Sequence, residues 1–309
     1  MNIQKIHLRA PAKINLHLEV LGKRMDGYHE LAMVMQSINL FDYLDIRLNN
    51  SDEINLSSNA KDLDVSNKNL IIKAAYLLKK KFNDRVLGAD IYLEKNIPIG
   101  AGLAGGSSNA AATLVGLNEL WDLRLKSCDL HGLGAMIGSD VPFCINGGTQ
   151  YCFGRGEILE EFKLNSNYGL ILIKNPDTSL STAEIYKKYS SLFNLSDVST
   201  NNEINVKRHE LRNIGFEKAN FINKGINIRN DLQIIAKKES PSVKKGLGLL
   251  SDLEHRLCYS MSGSGPSCYA IFENINIAKK CYQDNIAKLN KENFDVWCCN
   301  FLDHGVLVD

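Results

Sequence analysis

The sequence lacks long apolar segments and carries almost no net charge. Its 309 residues contain no run of eighteen apolar side chains, which is about the length that a membrane-spanning helix needs. The opening segment MNIQKIHLRAPAKINL also lacks the continuous apolar core of a signal peptide. A net charge of +1 gives no basic surface for a nucleic-acid backbone. We therefore expect a cytoplasmic protein whose partners are small molecules, with no nucleic acid and no membrane.

Cysteine motifs are missing as well. The chain has eight cysteines but neither a C-x-x-C pair nor a Cys/His spacing typical of zinc ligands. We expect reduced and mostly buried thiols, ahead of zinc sites or disulfides. The composition, 44% hydrophobic and 23% charged, is that of an ordinary globular protein. The length favours about two domains, or one elaborated α/β body.

The most informative stretch is PIGAGLAGGSSNAA, residues 98–111. Its glycines allow the backbone to approach a ligand closely, so that successive N–H groups can converge on a phosphate. An alanine-rich segment with helical spacing follows, and we expect Ser107 or Ser108 to cap that helix. The helix N-terminus would add a favourable dipole for an anion. The stretch predicts a nucleotide-binding loop.

Two other interpretations fit the same glycines. Gly100, Gly102 and Gly105 satisfy G-x-G-x-x-G, and Asp122 lies near the position of a ribose-binding acid in a dinucleotide fold. However, Asp122 directly follows a helix rather than ending a strand, which argues against a dehydrogenase. There is no G-x-x-x-x-G-K-[ST] motif, which excludes a Walker A loop. The other alternative is a turn that only allows a strand and a helix to pack closely.

Hydrophobic periodicity predicts the order of the elements. Before the loop, two antiparallel strands are expected at 3–9 and 14–20, a helix over 70–82 capped by Asn67 or Asn69, and a strand at 89–93. After it, helices are expected at 110–121, 128–137, 231–238, 243–253 and 277–289, a hairpin at 147–162, and strands at 169–174, within 261–272 and at 294–302. The segment 190–230 should be the least regular. This order predicts an α+β protein with two domains.

Several polar residues are candidates for a site, although each has an ordinary explanation. Lys13 and Asn15 share one face of a strand, where a lysine is usually solvated. Tyr28 and His29 follow a turn, and such residues more often belong to the surface or the core. Asp140 lies between a glycine that ends a helix and a proline, where an Asx turn or cap is about as reasonable as catalysis.

Taken together, the motifs resemble those of the GHMP small-molecule kinase superfamily, named for galactokinase, homoserine kinase, mevalonate kinase and phosphomevalonate kinase. The resemblance extends over nearly the whole chain. It rests on APAKINLHLEVLGKRMDGYHEL (10–31), NLIIKAA (69–75), PIGAGLAGGSSNAA (98–111), GSDVPFCINGGT (138–149), NDL (230–232) and SGSGPS (262–267).

Within the superfamily, the motifs are most similar to those of the kinases that phosphorylate the 2-hydroxyl of 4-diphosphocytidyl-2-C-methyl-D-erythritol in isoprenoid precursor biosynthesis. The resemblance implies ATP as co-substrate and Mg²⁺. It also implies an N-terminal nucleotide-binding domain, 1–165, with a left-handed β-α-β unit, and a ferredoxin-like C-terminal domain, 166–309. The oligomeric state expected is a monomer or a weak homodimer.

The resemblance further assigns roles to individual residues. Lys13 and Asp140 match the catalytic pair, while Asn15, Tyr28, His29 and Tyr186 match substrate-binding positions. The ATP-binding positions are Asn69, Lys95, Pro98, Ile99, Gly100, Ala101, Gly102, Leu103, Ala104, Gly105, Gly106, Ser107 and Ser108. Ala101 and Ala104 depart from the commonest pattern, which has glycines there. No motif marks an acidic metal ligand besides Asp140, and Ser107 or Ser108 would assist Mg²⁺ indirectly.

Two further functions remain as alternatives. The chain could be another GHMP kinase of the homoserine or mevalonate type, but the G-Y-H-E motif and Tyr186 suit a base that needs stacking. It could also be a nucleotide-binding regulator without turnover, although the presence of both Lys13 and Asp140 argues against that function.

Overall fold

Two β-sheets form the framework of the molecule, which is a computed structural model describing residues 4–49, 51–82, 86–164, 167–197, 201–214 and 228–309. The strands within these residues are β1 Lys5–Lys23, β2 His29–Leu48, β3 Ile54–Ser58, β4 Ala89–Glu94, β5 Thr149–Gly154, β6 Ile158–Glu161, β7 Gly169–Lys174, β8 Arg256–Met261, β9 Cys268–Phe272, β10 Asp295–Asn300 and β11 Leu307–Val308.

Helices pack against both sheets. In the described ranges they are α1 Leu70–Lys81, α2 Gly105–Leu120, α3 Ser127–Ile137, α4 Val141–Asn146, α5 Thr182–Leu192, α6 Asn201–Asn213, α7 Gln233–Glu239, α8 Pro241–Ser251 and α9 Ile275–Lys291. The first sheet has the order β11-β1-β2-β4-β3, with β5 paired to β2 and β6 to β5, and the second has the order β10-β7-β9-β8. β3 and β4 pair in parallel, whereas the other neighbouring strands named here pair antiparallel. The predicted α+β class is therefore confirmed.

The N-terminal region forms one long strand rather than the predicted antiparallel pair. β1 runs for 19 residues alongside β2. The prediction was wrong because it ended the first strand at residue 9, just before Ala10 and Pro11. Instead, the register between β1 and β2 shifts between Pro11 and Ala12, and such an irregularity accommodates a proline inside a strand. The candidate residues Lys13 and Asn15 both lie within this one strand.

α2 occupies the centre of the first layer of helices. Most of its residues are buried, including Ala110, Ala111 and Leu114, as expected for a helix that is apolar over a broad face. The predicted serine cap is wrong, however. The helix begins at Gly105, its N-cap is Ala104 with φ 55°, and no side chain caps it. Ser107 and Ser108 therefore lie inside the first turns.

Other elements differ from the sequence prediction in ways that reflect tertiary contacts. α4, β3 and β8 were not predicted, and α6 lies in the segment expected to be irregular. α6 is strongly polar, but its Arg208 pairs with Glu30 and its Arg212 with Glu160. These partners come from distant strands, so local pattern could not reveal them. Residues 215–227 of the same segment lie outside the described residues.

The cysteines are free thiols and most of them are buried, as the sequence analysis expected. Five of the eight are buried, namely Cys144, Cys152, Cys268, Cys281 and Cys299. Burial raises the pKa of the Cys258 thiol to about 12, and it also raises the pKa of Cys152. These thiols therefore remain protonated at neutral pH and act as small apolar side chains.

Candidate active site

A single cleft of about 1370 Å³ gathers the residues that the sequence singled out. Every residue predicted to bind ATP or substrate lines it, except Ser108. Its walls come from β1, the segment that follows the turn at 24–27, the glycine loop 98–104, the start of α2, Asp140 and α5. Residues distant in sequence thus converge on one volume large enough for two ligands.

The glycine loop adopts backbone conformations that ordinary residues avoid. Gly100 and Gly102 have φ values of 63° and 74°, in the left-handed region that glycine tolerates best. A second glycine loop, 262–265, packs against it, and the hydroxyl of Ser262 donates to the Gly102 carbonyl at 2.9 Å. A Cβ at Gly102 would overlap with the Ser262 carbonyl oxygen. The second loop therefore holds the first in place at the edge of the cleft.

The two serines at the start of α2 have different surroundings. Ser107 lines the cleft, close to the helix N-terminus, where the first N–H groups have no partner inside the helix. Ser108 is fully buried, and its backbone N–H donates to the Ala104 carbonyl at 2.9 Å. Only Ser107 can present its hydroxyl to a ligand in this arrangement.

Lys13 and Asp140 meet beside this loop. Lys13 is 5% exposed and its Nζ lies 3.5 Å from Asp140 Oδ2, while it donates to Asn15 Oδ1 at 2.7 Å. The backbone N–H of Lys13 also donates to the Leu103 carbonyl at 3.1 Å, which ties β1 to the glycine loop. A buried ammonium with a carboxylate partner differs from the solvated strand lysine that position alone suggests.

Asp140 is not used as a helix cap. It is the N-cap residue of α4, but its side chain accepts no capping hydrogen bond. About 30% of the side chain is exposed, on the side of the cleft. The carboxylate is therefore available for chemistry, and the alternative of a capping role loses its support.

Aromatic side chains line the opposite end of the cleft. The rings of His29 and Tyr186 are stacked, with centroids 4.9 Å apart, and His29 Nε2 lies 2.6 Å from Ser190 Oγ. Burial, with a smaller contribution from Lys23, lowers the pKa of His29. This shift favours the neutral imidazole. Tyr28 is 54% exposed and lines the cleft.

Arg155 belongs to this end of the cleft, although sequence reasoning missed it. Its guanidinium lies 5.0 Å from the centroid of the Tyr28 ring, at the tip of the β5–β6 hairpin. A Cβ on the neighbouring Gly156 would be 3.8 Å from Asp140 Oδ1. The hairpin tip therefore spans the distance between Tyr28 and Asp140. The G-R-G sequence indicated only a turn, and nothing local showed what the arginine faces.

Two of the predicted ATP-binding residues, Asn69 and Lys95, have hydrogen-bond partners within the protein. Asn69 caps α1, its Oδ1 accepting from the Ile71 N–H at 2.9 Å. Lys95 Nζ lies 2.6 Å from Asp42 Oδ2, and burial lowers the pKa of Lys95 while Asp42 opposes that shift. Both residues line the cleft, but their contact with ATP stays a prediction. Asp42 itself had no sequence signal.

The alternative interpretation of the glycines as a dinucleotide-binding site finds no support in the fold. Asp122 is exposed beyond the end of α2, where it pairs with Arg124 at 2.9 Å. It does not end a strand, as a ribose-binding acid in such a site would. Among the described residues no helix has the length and apolar character needed to traverse a bilayer.

Comparison with known proteins defines the class first. Residues 69–148 match the GHMP kinases N terminal domain. A crystal structure of homoserine kinase from Cytophaga hutchinsonii superposes with a TM-score of 0.76, covering 100% of this chain and 98% of that one at 17% identity. That similarity concerns the fold alone. The chain has the fold of a GHMP kinase.

Closer relatives define the branch. A curated 4-diphosphocytidyl-2-C-methyl-D-erythritol kinase from Prochlorococcus marinus subsp. pastoris is 53% identical over 306 residues, covering 99% of this chain and 98% of the relative. A crystal structure of 4-(cytidine 5'-diphospho)-2C-methyl-D-erythritol kinase is 26% identical, with a TM-score of 0.72, 96% of this chain covered and 98% of that chain. The chain therefore belongs to the 4-diphosphocytidyl-2-C-methyl-D-erythritol kinase family, which confirms the resemblance found in its motifs.

Proposed function

We propose that this protein transfers the γ-phosphoryl group of ATP to the 2-hydroxyl of 4-diphosphocytidyl-2-C-methyl-D-erythritol, giving the 2-phosphate and ADP, in isoprenoid precursor biosynthesis. The observation that carries the proposal is the Lys13–Asp140 pair, 3.5 Å apart, in one cleft with the glycine loop and Tyr28, His29 and Tyr186. Nothing in the cleft favours homoserine or mevalonate, which have no base to stack.

In the proposed reaction, Asp140 accepts the proton of the substrate hydroxyl as its oxygen attacks the γ-phosphorus, and the bond to the β–γ bridging oxygen breaks. Lys13 is within ion-pair distance of Asp140, so both side chains can act on the same substrate hydroxyl. Its ammonium also stabilises negative charge on the transferring group. Asn15 accepts from Lys13 at 2.7 Å and holds the ammonium in place.

The loop amides and the α2 N-terminus are proposed to hold the β- and γ-phosphates. Mg²⁺ bound to ATP would neutralise part of their charge. The described residues contain no group of three or more His, Cys, Asp or Glu side chains placed to hold a metal. This fits a Mg²⁺ that is held mainly by phosphates and water and needs only one or two protein oxygens. Ser107 and Asp140 both line the cleft and would supply such oxygens.

At the other end, the cytosine is proposed to stack on Tyr28 and Tyr186, with His29 as a polar neighbour. The substrate joins this base to the methylerythritol through a diphosphate, which must therefore cross from the aromatic residues to Asp140. Arg155 occupies the hairpin tip along that path. A guanidinium suits such a diphosphate, since it is always charged and can bind two oxygens at once.

Finer features of the fold are also proposed. The β3-α1-β4 segment has parallel strands, which supports a β-α-β unit, and we propose that it is left-handed. The second sheet has the order β10-β7-β9-β8, the fourth, first, third and second of its strands, which supports a ferredoxin-like unit. The boundary at 165/166, a monomer or weak homodimer and a cytoplasmic location remain proposals, and sedimentation would test the oligomeric state.

A coupled ADP-release assay tests the function. We expect turnover with 4-diphosphocytidyl-2-C-methyl-D-erythritol and none with mevalonate or homoserine. Asp140→Asn should lower kcat by at least about 10²-fold, the low end for loss of a general base, with little change in ATP affinity. Asp122→Asn, which alters an exposed pair, is the matched control and should be unaffected. Full turnover by Asp140→Asn would assign the base to another residue.

A further inference from the structure

One buried carboxylate bonds to the chain on both sides of the glycine loop. Asp42, on β2, is 0% exposed. Its Oδ1 accepts from the backbone N–H of Asn96 at 2.7 Å and of Ile97 at 2.8 Å. Its Oδ2 accepts from Lys95 Nζ at 2.6 Å and from Asn109 Nδ2 at 2.8 Å. Residues 95–97 directly precede the loop, whereas Asn109 lies in the second turn of the helix that follows it.

Lys95 extends the same network. Its ammonium also donates to the Ile97 carbonyl at 2.6 Å, and a Cβ on Gly105 would lie 2.9 Å from Lys95 Nζ. Its side chain is only 5% exposed. The charge of Lys95 is therefore matched by Asp42 and directed to the entry of the loop and the first residue of α2.

We infer that Asp42 is a positioning residue that sets the geometry of the nucleotide-binding loop, and that Lys95 supports nucleotide binding through Asp42 rather than as an independent phosphate or adenine contact. The inference rests on the proposed function, since it concerns the ATP side of the same cleft. A buried carboxylate with four donors constrains them tightly, because each donor would otherwise be unsatisfied. Both ends of the loop are thus preorganised before ATP binds.

The test measures the dissociation constant of a non-hydrolysable ATP analogue with Mg²⁺ by calorimetry, together with the KM of the cytidyl substrate. Asp42→Asn keeps one acceptor oxygen but places an amide against Lys95. We expect it to weaken binding of the analogue at least about tenfold, the scale of losing a hydrogen bond to a charged group. The KM of the cytidyl substrate should change by less than about twofold, because the other end of the cleft has no bond to Asp42.

A double-mutant cycle separates the two roles of Lys95. If Lys95 acts through Asp42, the variant combining Asp42→Asn with Lys95→Met should bind the analogue no worse than the weaker single variant. Additive losses would overturn the inference, because they would show that Lys95 contacts the nucleotide independently. Unchanged analogue binding by Asp42→Asn would overturn it as well.

A control variant and a second test variant accompany this measurement. Leu44→Ala, in the same strand and buried in the core, should lower the melting temperature without weakening the analogue. If Asp42→Asn does not fold, Asn109→Ala removes one of the four donors and should weaken the analogue about threefold, which is less than the loss of a full charged hydrogen bond; no effect there would count against the inference. Analogue binding without turnover of the cytidyl substrate would contradict the proposed function while leaving this test intact.

Discussion

The rings of His29 and Tyr186 stack with centroids 4.9 Å apart and planes inclined by 24°. No base can enter between two rings at that separation, since a third ring would need about twice the distance. In the proposed complex, cytosine would therefore stack on the face of Tyr186 away from His29. His29 would then pack against the other face of Tyr186, with its polar edge at the side of the base.

Tyr186→Ala is expected to raise the KM of the cytidyl substrate by roughly tenfold or more, because a stacked base contributes on the order of 1–3 kcal/mol. kcat should change little, since Tyr186 is proposed to contact the base and not the transferring phosphoryl group. Steady-state kinetics with each substrate varied in turn would measure both. Tyr186→Phe keeps the ring and is the matched control. A comparable rise in the KM of ATP would argue against the stacking role.

Arg155→Met should also affect the cytidyl substrate selectively. The variant keeps an unbranched side chain beside Tyr28 but removes the charge that we place near the diphosphate, so the KM of this substrate should rise at least about tenfold, as for loss of a charged hydrogen bond. Arg124→Met, which changes an exposed arginine paired with Asp122, controls for loss of charge. Equal behaviour of the two variants would remove Arg155 from the substrate site.

Sequence reasoning identified much of the site because its motifs are local. The glycine loop, Lys13 and Asp140 each lie in a short segment whose chemistry and family resemblance can be recognised without a structure. In the structure, Lys13 lies within 3.5 Å of Asp140, although 127 positions separate the two residues in the sequence. Sequence patterns describe neighbours along the chain, and this distance depends on how β1 and α4 pack.

The residues that were missed have partners far away in the sequence. Asp42 bonds to residues of the 95–97 segment and to Asn109, but in sequence it is one acid within a strand. Arg155 had only a turn as its signal. The prediction of a serine cap failed for a different reason. Ala104 adopts the left-handed conformation, which is usual for glycine rather than alanine, and it takes the N-cap position ahead of both serines. Each miss reflects tertiary contacts or strain that outweigh a local preference.

His29 should contribute to the pH dependence of the free energy of unfolding. Burial lowers its pKa in the folded state below the ordinary value of 6.5, so its contribution to stability is complete above about pH 6.5 and is lost as the pH falls through the lowered pKa. His29→Gln should therefore lose less stability than the wild type between about pH 6.5 and pH 5, the range just below the ordinary pKa of a histidine. Urea unfolding of both proteins at several pH values would measure this. Parallel curves would show that His29 titrates normally.

Gly102→Ala, in the glycine loop, should lower the free energy of unfolding far more than Gly132→Ala, in a helix. Gly102 has φ 74° and no room for a Cβ beside the Ser262 carbonyl, so Gly102→Ala should destabilise the protein by about 2 kcal/mol or more, through backbone strain and overlap. Gly132, in α3, has open space where a methyl group would lie, with no atom within 4 Å of that position, and Gly132→Ala should be neutral or stabilise by about 0.5–1 kcal/mol. Urea unfolding gives both values, and calorimetry with the ATP analogue should show weakened binding for Gly102→Ala alone. If Gly102→Ala were as stable as the wild type and bound the analogue normally, the close packing of the two glycine loops would not be needed to shape the nucleotide site.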